Sequence, residues 1–121
     1  MEIIRDILVY FEESPDLMPI FDVTKLPPHD PEQVAYNLGL LVDDGHIRGH
    51  YVADGWNSPF RGKGLSTKGH DFAVTLQDPD VWRETKSKLG DGLGRVTFEV
   101  MVATAVAVAK QQIKERTGLN L

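Results

Sequence analysis

Asp30-Pro31-Glu32-Gln33-Val34-Ala35-Tyr36-Asn37-Leu38-Gly39-Leu40-Leu41-Val42-Asp43-Asp44-Gly45-His46-Ile47-Arg48-Gly49-His50-Tyr51 changes its hydrophobic period once, and that change decides the fold. Up to Asp44, Val34, Leu38, Leu41 and Val42 recur at i, i+4, i+7 and i+8, the buried stripe of a helix. Asp30 supplies an N-cap, Pro31 suits the first helical position, and Gln33 is placed to complete a capping box. Gly45 closes the helix. Beyond it Ile47, Gly49 and Tyr51 alternate with Arg48, His50 and Val52, so a strand follows at once.

Working outward, Ile3, Ile4, Ile7, Leu8 and Phe11 make one face of an N-terminal helix that Ser14-Pro15 ends. Pro19 to Val23 suits a brief strand, and Leu26-Pro27-Pro28-His29 a loop. Downstream, Asp54 to Gly64 is rich in turn residues and reads as a loop to a second, very short strand at Leu65. Ser66 or Thr67 then caps a helix with Phe72, Ala73 and Leu76 inside. Asp78-Pro79 starts another, with Val81, Trp82, Thr85 and Leu89 on one face. Gly90 to Gly94 reads as a flexible hinge, and Thr97 caps a last helix ended by Gly118. The class is α+β, mostly α. Helix, strand, helix, strand, loop, strand and helices is the order of a winged-helix domain with a helical C-terminal extension. Residues 1–78 form the core, with a small antiparallel β-hairpin wing at 47–65, and 79–121 the extension packed on it. A short helix before the Asp30 helix has no good candidate, because Lys25 to Asp30 is too rich in proline.

The chain of 121 residues suits one domain, and 26% charged against 41% hydrophobic residues is ordinary globular composition. There is no cysteine, which excludes disulfides, thiol nucleophiles and thiolate metal sites. The net charge of −5 argues against a protein that coats nucleic acid. Its distribution qualifies that. Residues 1–44 hold ten acids and two bases, whereas residues 45–70 hold four bases (Arg48, Arg61, Lys63, Lys68) and only Asp54 as an acid. Charges near the N-terminus leave no signal-peptide core, and the longest apolar run is too short to span a membrane. The expected location is the cytoplasm.

Two further stretches carry a resemblance. Val34 to Ile47 runs from helix through glycine into strand. Leu65-Ser66-Thr67-Lys68-Gly69-His70-Asp71-Phe72 is followed by Asp78-Pro79-Asp80-Val81-Trp82-Arg83-Glu84-Thr85-Lys86. Together they resemble an uncharacterised family of small bacterial and bacteriophage proteins, a domain of unknown function with a winged-helix fold. More remotely, Leu65 to Gly69 is similar to the Leu-Thr-x-x-Gly segment after the wing of MarR-type regulators. The resemblance implies a fold and no established activity.

Candidate contacts follow from these elements. On the helix from Asp30, Gln33, Tyr36 and Asn37 can reach bases or phosphate, but the helix holds four acids and no base. Its polar face can equally be a solvated one. The wing offers Arg61 and Lys63 at its tip beside Trp56 and Phe60, with Arg48 and Lys68 nearby, suited to phosphate or minor-groove contact with duplex DNA. Alternatively the rings cover the core edge and the cations balance acids. On the last helix Phe98, Met101, Val102, Ala105, Val106 and Ala109 point to a homodimer or protein partner, because a surface helix should show only one apolar stripe. A wholly internal central helix is the other reading.

Catalytic and metal constellations have no good candidates. His46 and His50 are four apart on a strand, about 13 Å, too far to share an ion. Ser66 and Thr67 near His70 fit helix capping, and Gly62-x-Gly64 and Gly90-x-Gly92-x-Gly94 lack a dinucleotide-binding context. The expectation is a non-enzymatic DNA-binding accessory or transcriptional regulator with no cofactor, metal or small-molecule substrate. The alternative is a protein–protein adaptor using the acidic face and the apolar last helix.

Overall fold

The computed structural model describes residues 2–90 and 97–118. Along the chain these form α1 (Glu2–Glu13), β1 (Ile20–Phe21), a 3-10 turn (Val23–Lys25), α2 (Pro31–Asp43), β2 (Ile47–Tyr51), β3 (Phe60–Leu65), α3 (Thr67–Gln77), α4 (Pro79–Leu89) and α5 (Phe98–Thr117). The class is α+β and mostly helical, as the periodicity requires. Two compact units divide within α3: Glu2–Ala73, and a C-terminal unit from Val74. The sequence reading sets its core at 1–78 and its extension at 79–121. Of the expected hinge, Gly90 to Gly94, residues 91–94 lie outside the described residues. Among those described, no helix is long and apolar enough to cross a membrane.

In the N-terminal unit, α1 buries Ile4, Ile7, Leu8 and Phe11, and α2 buries Val34, Leu38 and Leu41. Asp30 Oδ1 accepts from Glu32 N at 3.1 Å, which fixes the start of α2. At its other end Asp44 is the cap and Gly45 follows with φ +80. The stretch before α2 differs from expectation. β1 has only two residues, and Asp22 Oδ1 accepts from Thr24 N (2.9 Å) and Thr24 Oγ1 (2.7 Å) to hold a 3-10 turn. That single turn, with Val23 buried, occupies the place where the sequence offered no short helix.

The sheet is antiparallel in the order β1-β3-β2. β3 corrects the sequence reading: Phe60 to Gly64 is strand, and the connecting turn is only 52–59. Glycine here serves close approach. Gly62 is buried beneath α1, and a Cβ on it would stand 2.5 Å from Phe11 Cε1. Phe11 packs edge-on to Phe60 at 6.2 Å between ring centroids and lies 5.5 Å from Phe21, so one aromatic cluster joins α1, β1 and β3. The turn is pinned by Ser58, whose Oγ accepts from Ala53 N at 2.8 Å.

Ser66 settles the choice of cap for α3. Its Oγ accepts from Gly69 N at 3.0 Å and donates to Gly45 O at 2.5 Å, which also ties α3 to the end of α2. Gly69 faces the His46 carbonyl so closely that a Cβ would meet it. In the C-terminal unit, Asp78 caps α4, Thr97 caps α5, and Gly118 closes α5 in the left-handed conformation. Arg116 binds Asp78 (3.1 Å) and Asp80 (2.9 Å), and Gln112 Nε2 donates to Glu84 Oε2 (2.9 Å), so α5 runs antiparallel to α4.

The glycines yield a paired prediction. Gly69→Ala drives a methyl into rigid backbone and should destabilise by about 2 kcal/mol. Gly39→Ala, in a helix with open space around it, should stabilise by about 0.5–1 kcal/mol. Denaturant midpoints measure both, and equal effects would contradict the packing described.

Candidate functional site

Strand alternation decides which side chains the hairpin shows to solvent. Phe60 and Gly62 face the core, so Arg61 and Lys63 face away. On β2, Ile47 is buried and Gly49 lies against Phe60 and Arg61, which turns Arg48 and His50 outward. His50 and Ile20 sit opposite Arg61 on either side of it. The structure therefore brings Arg48, Arg61 and Lys63 onto one face of the sheet, beside His50. Among the described residues no carboxylate pairs with any of the three. Arg61 reaches only the Met18 carbonyl, at 3.5 Å.

The other residues read as a wing do not join this face. Arg61 and Lys63 are not at a tip, because they belong to the central strand. Phe60 is wholly buried. Lys68 is committed to α2, with Nζ 2.9 Å from both Asp44 Oδ2 and Asp44 O. Trp56 stands on the 52–59 turn, 53% exposed, and shares a cavity with Tyr36, Tyr51, Glu32 and Asp54. Of the α2 candidates, Tyr36 lines that cavity, Gln33 is exposed, and Asn37 donates back to the Gln33 carbonyl at 2.8 Å. The exposed face of α2 thus meets carboxylates, and phosphate would be repelled there. Tyr51, Glu32 and Asp54 were not singled out from the sequence. Nothing short of the hairpin's geometry brings them to Trp56.

On α5, Met101 and Ala105 are taken up inside the C-terminal unit with Val108 and Gln112. Phe98, Val102 and Ala109 are half-buried, and Val106 is exposed. A second apolar stripe, Val100, Ala103 and Ala107 with Thr104, lines an open groove bordered by Glu84 and Lys88. Of the set expected, Met101 and Ala105 therefore lie inside the unit, and Val106 faces outward.

Three of the four histidines tie elements together, and His50 stays on the exposed hairpin face. His29 Nε2 lies 2.7 Å from Asp6 Oδ2, and His70 Nδ1 lies 2.9 Å from Glu12 Oε2, so His70 ties α3 to α1. His46, 1% exposed, lies 2.9 Å from Asp44 Oδ2 and stacks 5.2 Å from Phe72. The Lys68 ammonium, hydrogen-bonded to Asp44, holds that carboxyl below its usual range. Burial pushes the His46 imidazole below 6.5 despite Asp44 beside it.

These features define a small α+β unit with one cationic sheet face and one acidic, aromatic cavity. The chain belongs to the family described as "Hypothetical protein (DUF2513)", which matches it over residues 1–94. That span includes the hairpin face and the cavity and stops short of α5. No curated protein and no solved structure matches the chain.

His46 and Asp44 both bind protons less readily when folded. The stability they contribute is present above pH 6.5 and is lost on acidification, first through His46 and below pH 3.8 through Asp44. Denaturant midpoints at pH 7.5 and 5 should therefore fall, and His46→Gln should remove the His46 part of that fall. An unchanged pH profile in His46→Gln would count against a buried neutral imidazole.

Proposed function

We propose that the chain is a winged-helix protein that binds duplex DNA through the phosphate backbone, as an accessory or regulator, using the outer face of its hairpin. The observation that supports this is the set of three bases, Arg48, Arg61 and Lys63, on one face of the sheet, with no carboxylate paired to them among the described residues. Helix, 3-10 turn, helix, hairpin and helix is the order such a domain requires. The acidic α2 speaks against major-groove reading, so the binding is weak, salt-dependent and indifferent to base sequence.

Dimerisation through α5 belongs to the same reading. Val100, half-exposed, and the Ala103–Ala107 stripe suit close approach of a second helix. Glu99 lies at one end of a flank of this stripe, and Lys110 and Lys114 at the other. An antiparallel second copy sets acid against base at both ends.

Three phosphate contacts give a slope of log affinity against log salt of about −3. Arg61→Ala with Lys63→Ala should flatten it by about two. No binding to random duplexes at about 50 mM salt would overturn the proposal. Light scattering should give twice the chain mass at tens of micromolar, and Val100→Glu should halve it with helix content unchanged. A monomer throughout would remove the dimer from the account.

A further inference from the structure

Trp56, Tyr36 and Tyr51 are 53%, 69% and 43% exposed, and all three line one cavity of about 620 Å³ in the N-terminal unit. Glu32 and Asp54 stand in the same wall, and no base does. Among the described residues neither carboxylate has a cationic partner. We infer that this cavity is a binding site for the guanidinium of an arginine carried on a basic segment of a protein partner. The inference goes beyond DNA contact by the hairpin face and does not depend on it.

The ligand class follows from what the cavity offers and what it penalises. Aromatic faces attract cations, most strongly when water is excluded. A neutral apolar ligand would leave two carboxylates desolvated without a partner. A nucleotide would bring phosphate against those carboxylates. A quaternary ammonium would satisfy the rings, yet it has no N–H to donate to Glu32 or Asp54. A guanidinium does both, stacking its plane on a ring while its N–H groups reach the carboxylates.

Two further features favour a peptide-borne arginine over the free amino acid. The cavity is open on one side, so a side chain can enter with its backbone outside. Residues 1–44 carry ten acids and two bases, which attracts a segment with several cations and repels a free α-carboxylate. Burial and Asp43 both push the Tyr51 hydroxyl above its ordinary range. Tyr51 thus remains a neutral phenol in the wall of the site.

The test titrates the full chain with acetyl-Gly-Arg-Gly-Arg-Gly-amide while following the two tryptophan indole N–H resonances by NMR. The Trp56 signal should shift saturably, and the Trp82 signal, in the C-terminal unit, should stay in place. Replacing both arginines of the peptide by citrulline, a neutral isostere, should weaken binding at least about tenfold. Trp56→Ala should weaken it about tenfold, and Glu32→Gln with Asp54→Asn by a similar factor. Both sets of substitutions lie on exposed positions, and neither should change duplex binding by the hairpin face. Tetramethylammonium should bind more weakly than the peptide. Citrulline binding as well as arginine, equal affinity after Trp56→Ala, or no saturable shift up to about 5 mM peptide would each overturn the inference.

Discussion

The contact of Phe11 with Gly62 sets the rest of the N-terminal unit. α1 can press its aromatic ring onto β3 only where β3 lacks a side chain, and Gly62 supplies that place. Once Gly62 faces the core, alternation puts Phe60 there too, where it joins Phe11 and Phe21. The same alternation sends Arg61 and Lys63 to solvent. Pairing with β2 adds Arg48 and His50 to that surface. A packing requirement of one glycine thereby assembles the cationic face.

Charge is segregated on this unit. The hairpin's outer face carries bases without acids, while the turn at its end and α2 carry exposed rings beside Glu32 and Asp54. Lys68 does not blur the division, because Asp44 engages it. The two surfaces repel what the other attracts. Within this unit the hairpin's outer face favours an anion, and the carboxylates beside α2 repel one.

Much of the architecture was legible in the sequence. The helices announced themselves through their period and through the side chains at Asp30, Asp78 and Thr97 that satisfy free N–H groups at their starts. β3 was hidden because Arg61-Gly62-Lys63-Gly64 looks like a turn when glycine is read for flexibility, whereas Gly62 answers to contact with α1. The seam of α5 was hidden for another reason. Its alanines and valines extend around more than one face, so periodicity could not separate Met101 and Ala105, which are buried, from Val100, which is not. Of the candidate contact residues, Arg48, Arg61 and Lys63 stand out in the sequence by their charge. Lys68 was misplaced because its partner is 24 residues away, and the cavity went unseen because Tyr36, Tyr51 and Trp56 meet only once the hairpin folds.

On the function proposed above, one small unit presents a sheet surface for DNA apart from its acidic, aromatic one. Chemical-shift mapping of the full chain with a random-sequence duplex at low salt tests it directly. The account predicts shifts concentrated on Arg48, His50, Arg61 and Lys63, with Gln33, Tyr36, Asn37 and the Trp56 indole unmoved. Shifts centred on α2 and Trp56 instead, with the hairpin face silent, would contradict it.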